Sequence, residues 1–160
     1  GIPYRGFLFF GLMKVQGDPY VIEYNCRLGD PETQIILPLL ETDLLHLMDG
    51  LSNGLLSEID VAISPKAAAT VTLASQGYPG EYAKGKKINI PNPKDRSDHQ
   101  LLFHAGTKRE GEEVVTAGGR VMASVGLGAE LEKAVEQAYK LAEKVEFEGV
   151  QYRSDIGSVG

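Results

Sequence analysis

A chain of 160 residues can form one ordinary domain or two small ones and bury a sizeable core. Hydrophobic residues at 42% and charged residues at 24% are usual for a soluble globular protein. The net charge of −6 is spread without a basic tract, which argues against a nucleic-acid surface. A phosphate-bearing ligand stays open, because a metal ion can supply the positive charge. No apolar run approaches the roughly 18 to 20 residues that cross a bilayer, and no basic-then-apolar leader is seen at the start. One cysteine, Cys26, cannot form an intrachain disulfide, so a reducing, cytoplasmic setting is expected, without nucleic-acid or membrane partners.

The chain opens at Gly1-Ile-Pro-Tyr-Arg, without Met, and enters a strand almost at once. We therefore expect a piece of a longer polypeptide. Phe7–Met13 is too short and too aromatic for a surface helix and predicts a buried strand. Gly17-Asp18-Pro19 predicts a turn, and Tyr20–Tyr24 an antiparallel return strand. Arg5 reads as a surface arginine, with contact to a ligand as the alternative.

The return strand leads into Glu23-Tyr-Asn-Cys-Arg-Leu-Gly-Asp-Pro-Glu-Thr-Gln34. Alternate strand residues share a face, so Glu23 and Asn25 point the same way, with Cα atoms about 7 Å apart. Arg27 shares their parity if the strand runs that far, and Cys26 has the opposite parity, which reads as a small core residue. Two hard oxygen donors on one face suit Mg²⁺, which takes few protein ligands and completes its octahedron with phosphates and water. The bland alternative for a Glu-x-Asn pair is a solvated sheet face. Gly29-Asp30-Pro31 breaks the strand.

Thr33–Leu40 predicts a helix or turn. Thr42 or Asp43 can cap a second helix carrying Leu44, Leu45, Leu47, Met48 and Leu51, which Asn53-Gly54 ends. His46 has no second ligand at helical spacing and reads as structural. Composition shifts near residue 63, where we place a domain boundary. Beyond it, Thr70–Ser75, Ile88–Ile90, Leu101–Ala105, Val114–Thr116 and Gly118–Val125 predict short strands. Pro91–Gln100 reads as a mobile loop and Lys108–Glu113 as a charged turn. Apolar residues at 131, 134, 135, 138, 141, 142 and 145 predict a helix from Ala129 to Val145.

The run Asn25–Gln34 resembles the signature of the glycinamide ribonucleotide synthetase (phosphoribosylamine–glycine ligase) family of ATP-grasp enzymes. Leu28 stands where that family usually has Phe. Ahead of that run, Tyr4-Arg5-Gly6 resembles the sequence family members carry at that place, and beyond it Gly77-Tyr-Pro-Gly80, Tyr82-Ala-Lys-Gly85, His104-Ala-Gly-Thr107, Gly118-Gly-Arg-Val121 and Tyr152-Arg-Ser-Asp-Ile156 resemble the family's C-terminal domain in the same order. The resemblance spans nearly the whole chain and corresponds to the C-terminal portion of such a ligase.

It implies an α+β fold: residues 1–62 as the C-terminal part of an ATP-grasp domain, antiparallel strands plus helix, and 63–160 as a small β-rich domain with a long helix. It implies ATP-dependent ligation of glycine to 5-phosphoribosylamine through glycyl phosphate, in purine biosynthesis, with Mg²⁺ or Mn²⁺ as cofactor. Glu23 and Asn25 would hold the metal and nucleotide. Arg27 and Asp30 would be catalytic, Arg27 pairing with a phosphate or the glycine carboxylate and Asp30 lying near the amine or its ribose. Lys84, His104 and Arg120 can approach the substrate phosphate, with surface or loop-fixing roles as the alternative. Neither a glycine-rich phosphate loop nor an adenine-binding linker is recognisable, so these residues alone are expected to be inert and to need the upstream part of the same polypeptide. The rival readings are another ATP-grasp carboxylate–amine ligase and a non-catalytic binding or assembly module.

Overall fold

The computed structural model describes residues 1–158. They form two units, 1–64 and the part that begins at Pro65. The first unit opens with β1 (Phe9–Val15) and β2 (Asp18–Asn25), paired antiparallel from Phe9 opposite Asn25 to Val15 opposite Asp18. Gln16 at φ 52° and Gly17 at φ 101° form the two-residue connection. Backbone twist at such a loop matches that of the strands it joins. The turn therefore sits one residue before Gly17-Asp18, and Pro19 already belongs to β2. A bulge between Gly11 and Leu12 shifts the register once.

Phe7–Met13 is thus a strand in its larger part, but not a buried one. Phe10, Leu12, Met13, Tyr20, Val21, Ile22 and Tyr24 all stand open to solvent. The hairpin is a two-stranded sheet, and two strands cannot bury both of their own faces. The edge-on packing of Phe10 against Tyr24, with centroids 5.3 Å apart, shelters part of one face.

α1 (Thr33–Leu39) and α2 (Leu44–Asn53) complete this unit. Asp43 caps α2 by accepting from the His46 backbone N–H at 3.0 Å, and Gly54 ends it at φ 76°. Thr42 instead accepts from the Ala62 backbone N–H at 2.7 Å, closing the return of the chain. The His46 ring is exposed, as a structural reading allows.

The second unit is built on β3 (Ala67–Ser75), β4 (Gln100–His104), β7 (Arg120–Gly128) and the short β8 (Val150–Gln151), in the antiparallel order β4-β7-β3-β8. β5 (Thr107–Glu110) and β6 (Glu113–Thr116) form a separate hairpin. The charged tract expected to be a turn is therefore mostly ladder. Gly111 at φ 61° condenses the turn to two residues and lets Lys108 face Val115. Ile88–Ile90 forms isolated bridges at Lys87 and Asn89 rather than a strand, although Ile88 is buried.

α3 (Leu131–Ala142) lies on the sheet. It is shorter than the apolar spacing suggests, because Glu130 is extended and Glu143–Lys144 form a turn. Ala134, Ala138 and Ala142 are fully buried and pack with Val71, Leu73, Val121 and Met122. Small residues on both partners set the distance. A Cβ on Gly126 would run into the α3 backbone at Ala134 and Ala138. Between them, the buried Ser124 hydroxyl donates to the Ala138 carbonyl at 2.7 Å.

The Pro91–Gln100 tract, expected to be mobile, is pinned. Asn92 caps the Pro93–Asp95 turn through the Lys94 N–H, and Arg96 donates twice to the Pro91 carbonyl. Gln100 donates to the Gln137 carbonyl, and Lys144 to that of Asp95.

Candidate functional site

At the end of β2 the side chains of Glu23 and Asn25 lie side by side, the Asn25 Nδ2 donating to Glu23 Oε1 at 2.9 Å. β1 makes room for them. Gly11 stands opposite Glu23, and a Cβ there would fall 2.9 Å from Glu23 Cγ. Phe9 stands opposite Asn25 in the same ladder. Both polar side chains reach solvent, so a hydrated cation can approach them.

Together these two residues supply the two oxygens of one carboxylate and one amide oxygen. Among the described residues no group of three or more His, Cys, Asp and Glu side chains could hold a metal. A cage made wholly of protein ligands is therefore absent from the described residues. A two-donor set fits Mg²⁺, which keeps several waters and binds beside phosphate oxygens. To join it, the Asn25 amide must turn so that Oδ1, rather than Nδ2, faces the ion.

The strand stops at Asn25, and Cys26–Arg27 form a bend. Strand parity therefore does not carry on to Arg27, which is exposed and donates from Nη1 to the Leu28 carbonyl at 3.0 Å. Cys26 is exposed rather than buried in a core, for the same reason. The bend is held by Tyr4, whose single hydroxyl proton is shared between the Cys26 and Phe7 carbonyls at 2.9 and 2.8 Å. Nothing in a lone tyrosine near the start of the chain marks that role in advance. Arg5 reaches away from the Glu23–Asn25 pair and donates to the Ser52 carbonyl at 2.8 Å. A guanidinium in the last turn of α2 also complements the negative end of the helix dipole.

Asp30 is exposed and joined to Pro31 by a cis peptide bond. The residues beside it wind straight into α1. The Gly29 carbonyl accepts from the Thr33 backbone N–H at 3.0 Å and from its hydroxyl at 2.6 Å. Gly29 is buried against the Glu32 carboxyl, where any Cβ would collide. The whole Gly-Asp-Pro-Glu-Thr run is thus a strand-to-helix connection that displays Asp30 on its outer side. Gln34 follows in α1 with its Oε1 buried and without a hydrogen-bond partner. Gly11, Tyr4 and Gln34 are the residues that spacing alone did not single out. Of these only Gly11 had a signal, as a glycine inside an apolar strand run marks close backbone or side-chain approach.

Lys84, His104 and Arg120 all belong to the second unit. Lys84 Nζ lies 5.8 Å from the centre of the Tyr82 ring. His104 Nδ1 is 3.0 Å from the Thr107 hydroxyl, a contact that fixes the start of the β5–β6 arm. Arg120 lines a cleft with Tyr78, Tyr152 and Arg153. Arg153 is held by Asp155 in a two-point pair, Nε to Oδ1 at 2.8 Å and Nη2 to Oδ2 at 2.7 Å. That pairing raises the Arg153 pKa and lowers that of Asp155 from their ordinary values.

Two family descriptions match the chain. "Phosphoribosylglycinamide synthetase, C domain" covers residues 68–159, and "Phosphoribosylglycinamide synthetase, ATP-grasp (A) domain" covers residues 1–33. The phosphoribosylamine–glycine ligase of Chlorobaculum tepidum is 44% identical over 99% of the chain, which spans 37% of that relative's length. The human trifunctional purine biosynthetic protein adenosine-3 is 43% identical over 98% of the chain and 16% of its own length. The crystal structure of phosphoribosylamine–glycine ligase from Thermotoga maritima superposes with a TM-score of 0.81 at 43% identity, covering 95% of this chain and 37% of that one.

Proposed function

The chain belongs to the phosphoribosylglycinamide synthetase family, and from that premise we propose that the protein containing it joins glycine to 5-phosphoribosylamine at the expense of ATP. The products are glycinamide ribonucleotide, ADP and phosphate, in the cytoplasmic assembly of purines. The observation that carries this reading is 44% identity to a phosphoribosylamine–glycine ligase over 99% of the chain. We read residues 1–62 as the end of the ATP-grasp domain and 63–160 as the C-terminal domain of the ligase.

The chemical obstacle is the glycine carboxylate, a poor electrophile. Transfer of the ATP γ-phosphoryl group to it gives glycyl phosphate, and the ribosylamine nitrogen then displaces phosphate. Phosphoryl transfer asks the protein chiefly for positioning and for neutralisation of spreading charge. Glu23 and Asn25 are the residues that would hold Mg²⁺, or Mn²⁺, beside the nucleotide phosphates. Such an ion, when bound, draws off charge from the transferring group.

Arg27 needs only to release the Leu28 carbonyl to offer a planar two-point donor to a phosphate or to the glycine carboxylate. Asp30, displayed by the Gly29–Thr33 connection, would lie near the attacking amine and orient it. The 160 residues alone are inactive on this reading, because the groups that cover the ATP phosphates and hold adenine belong to the upstream portion.

The test is ADP release by the longest natural protein containing this chain, with Glu23 intact and with Glu23→Gln. Release that needs both glycine and phosphoribosylamine and collapses in the variant supports the reading. Release driven by another acid or amine removes the substrate assignment. A folded parent without nucleotide turnover removes the enzyme.

A further inference from the structure

The two faces of the β1–β2 ribbon differ in chemistry. Glu23 stands opposite Gly11 and Asn25 opposite Phe9, and partners in a ladder share a face. Phe10 and Leu12 alternate with Phe9 and Gly11 along β1, so they belong to the reverse face with their own partners, Tyr24 and Val21. The register shift after Gly11 creates the second of these pairs. Ile22 is the extra residue of the bulge, and Val21 comes to lie opposite Leu12 in its place. Behind Glu23 and Asn25 the ribbon thus carries two aromatic and two aliphatic side chains, as far as Lys14 opposite Pro19 near the turn.

That reverse face is open. Phe10, Leu12, Val21 and Tyr24 are between 48% and 63% exposed, and α1 and α2 of the same unit leave them uncovered. Contiguous apolar patches mark places where another surface packs. A two-stranded ribbon is at best marginally stable alone and gains its stability from further strands or a packed layer. The family matches say where such a layer comes from. The ATP-grasp description matches residues 1–33 and the C-domain description follows at 68–159, so the remainder of an ATP-grasp domain precedes this ribbon in the polypeptide. The chain spans 37% of the length of its Chlorobaculum tepidum relative, which leaves ample polypeptide to form it.

We propose that the reverse face of the β1–β2 ribbon is the docking surface for the upstream ATP-grasp portion of the same polypeptide, which lays apolar side chains on Phe10, Leu12, Val21 and Tyr24. The proposal rests on reading residues 1–62 as the end of that domain. Docking from behind fixes the strand that carries Glu23 and Asn25 and leaves both side chains free to face a ligand. The partner surface is apolar, because a charge pressed on this patch would be buried without a counter-ion.

The experiment compares the 160-residue chain with the longest natural protein that contains it. Leu12 and Met13 are neighbours, each 55% exposed, on opposite faces of the ribbon. Leu12→Lys should leave the melting temperature of the 160-residue chain where it was. In the longer protein it should lower that temperature by several degrees, because there it buries an unpaired charge. Met13→Lys should leave both proteins nearly as they were. No loss from Leu12→Lys, or an equal loss from both variants in the longer protein, would overturn the docking face. Where the longer Leu12→Lys protein does not fold, Leu12→Cys decides. Its thiol should react with a maleimide about tenfold more slowly in the longer protein than in the 160-residue chain, and equal rates would overturn the proposal. These readouts are separate from turnover. A longer protein that shows them without ligating glycine keeps the docking face and removes the reaction. An active ligase indifferent to Leu12→Lys keeps the reaction and removes the docking face.

Discussion

Gly11 and Glu23 face one another across the β1–β2 ladder, and the missing side chain of the first makes the space occupied by the second. A Cβ at Gly11 would stand 2.9 Å from Glu23 Cγ, closer than such contacts allow without a shift. Gly11→Ala should therefore leave the hairpin paired but push the Glu23 carboxyl away from Asn25. On the proposed ligase reading, kcat/KM of the longer protein should fall roughly 10- to 100-fold, the usual consequence of misplacing a group that orients metal ligands. Unchanged kinetics in a correctly folded Gly11→Ala enzyme would remove Glu23 from the site.

Tyr4 holds the bend that follows Asn25 through two carbonyl acceptors. Tyr4→Phe deletes only the hydroxyl. At about 0.5–1.5 kcal/mol net per hydrogen bond, less at an exposed position, the loss of stability should be modest. Faster amide exchange at residues 26–28 would report the loosened bend, and unaltered exchange would contradict the clamp.

Cys26 stands outside any core. Its thiol should react with a maleimide at the rate of an unfolded reference peptide, without prior denaturation of the chain. Protection that disappears only in denaturant would restore the buried reading.

The α3–sheet interface depends on two adjacent small residues in different ways. Ser124→Ala removes the hydroxyl from the Ala138 carbonyl and should cost about 1 kcal/mol. Gly126→Ala drives a methyl into the helix backbone and should cost about 1–3 kcal/mol or more by overpacking. Denaturant midpoints of the two variants measure the difference, and a milder effect from Gly126→Ala would show that α3 can step back from the sheet.

Glu136 accepts from Lys140 at 2.6 Å and from Lys133 at 2.9 Å, and these ammonium groups hold its pKa at about 2, against an ordinary 4.5. A folded-state pKa below the unfolded one adds stability above about pH 4.5 that is lost as the pH falls through about 2. The three side chains are exposed, so the effect is small and screened by salt. Glu136→Gln should narrow the gap in melting temperature between pH 7 and pH 2, less so in high salt. An unchanged gap would show that the triad carries no linkage.

Local chemistry was legible where it is local. The β1–β2 hairpin, the shared face of Glu23 and Asn25, the Asp43 cap, the Gly54 stop and α3 all follow from alternation, helical spacing and capping residues a few positions apart. The ligase signature and the later motifs identified the family for a related reason, as residue order in a connection such as Gly29–Thr33 is itself the geometry of that connection. Spacing failed where an element ended early. Arg27 and Cys26 were placed by a strand parity that stops at Asn25, and Lys108–Glu113 by charge that does not decide whether a ladder forms.

Only the tertiary structure decided which side chains meet across long separations. Gly11 clears space for Glu23, Arg5 seeks Ser52, Tyr139 ties Arg153, and Gly126 admits α3, each through a contact set by packing distance rather than by order along the chain. Periodicity specifies the face a residue occupies within its own element. Whether that face is covered depends on close packing against other elements, which one-dimensional order does not encode.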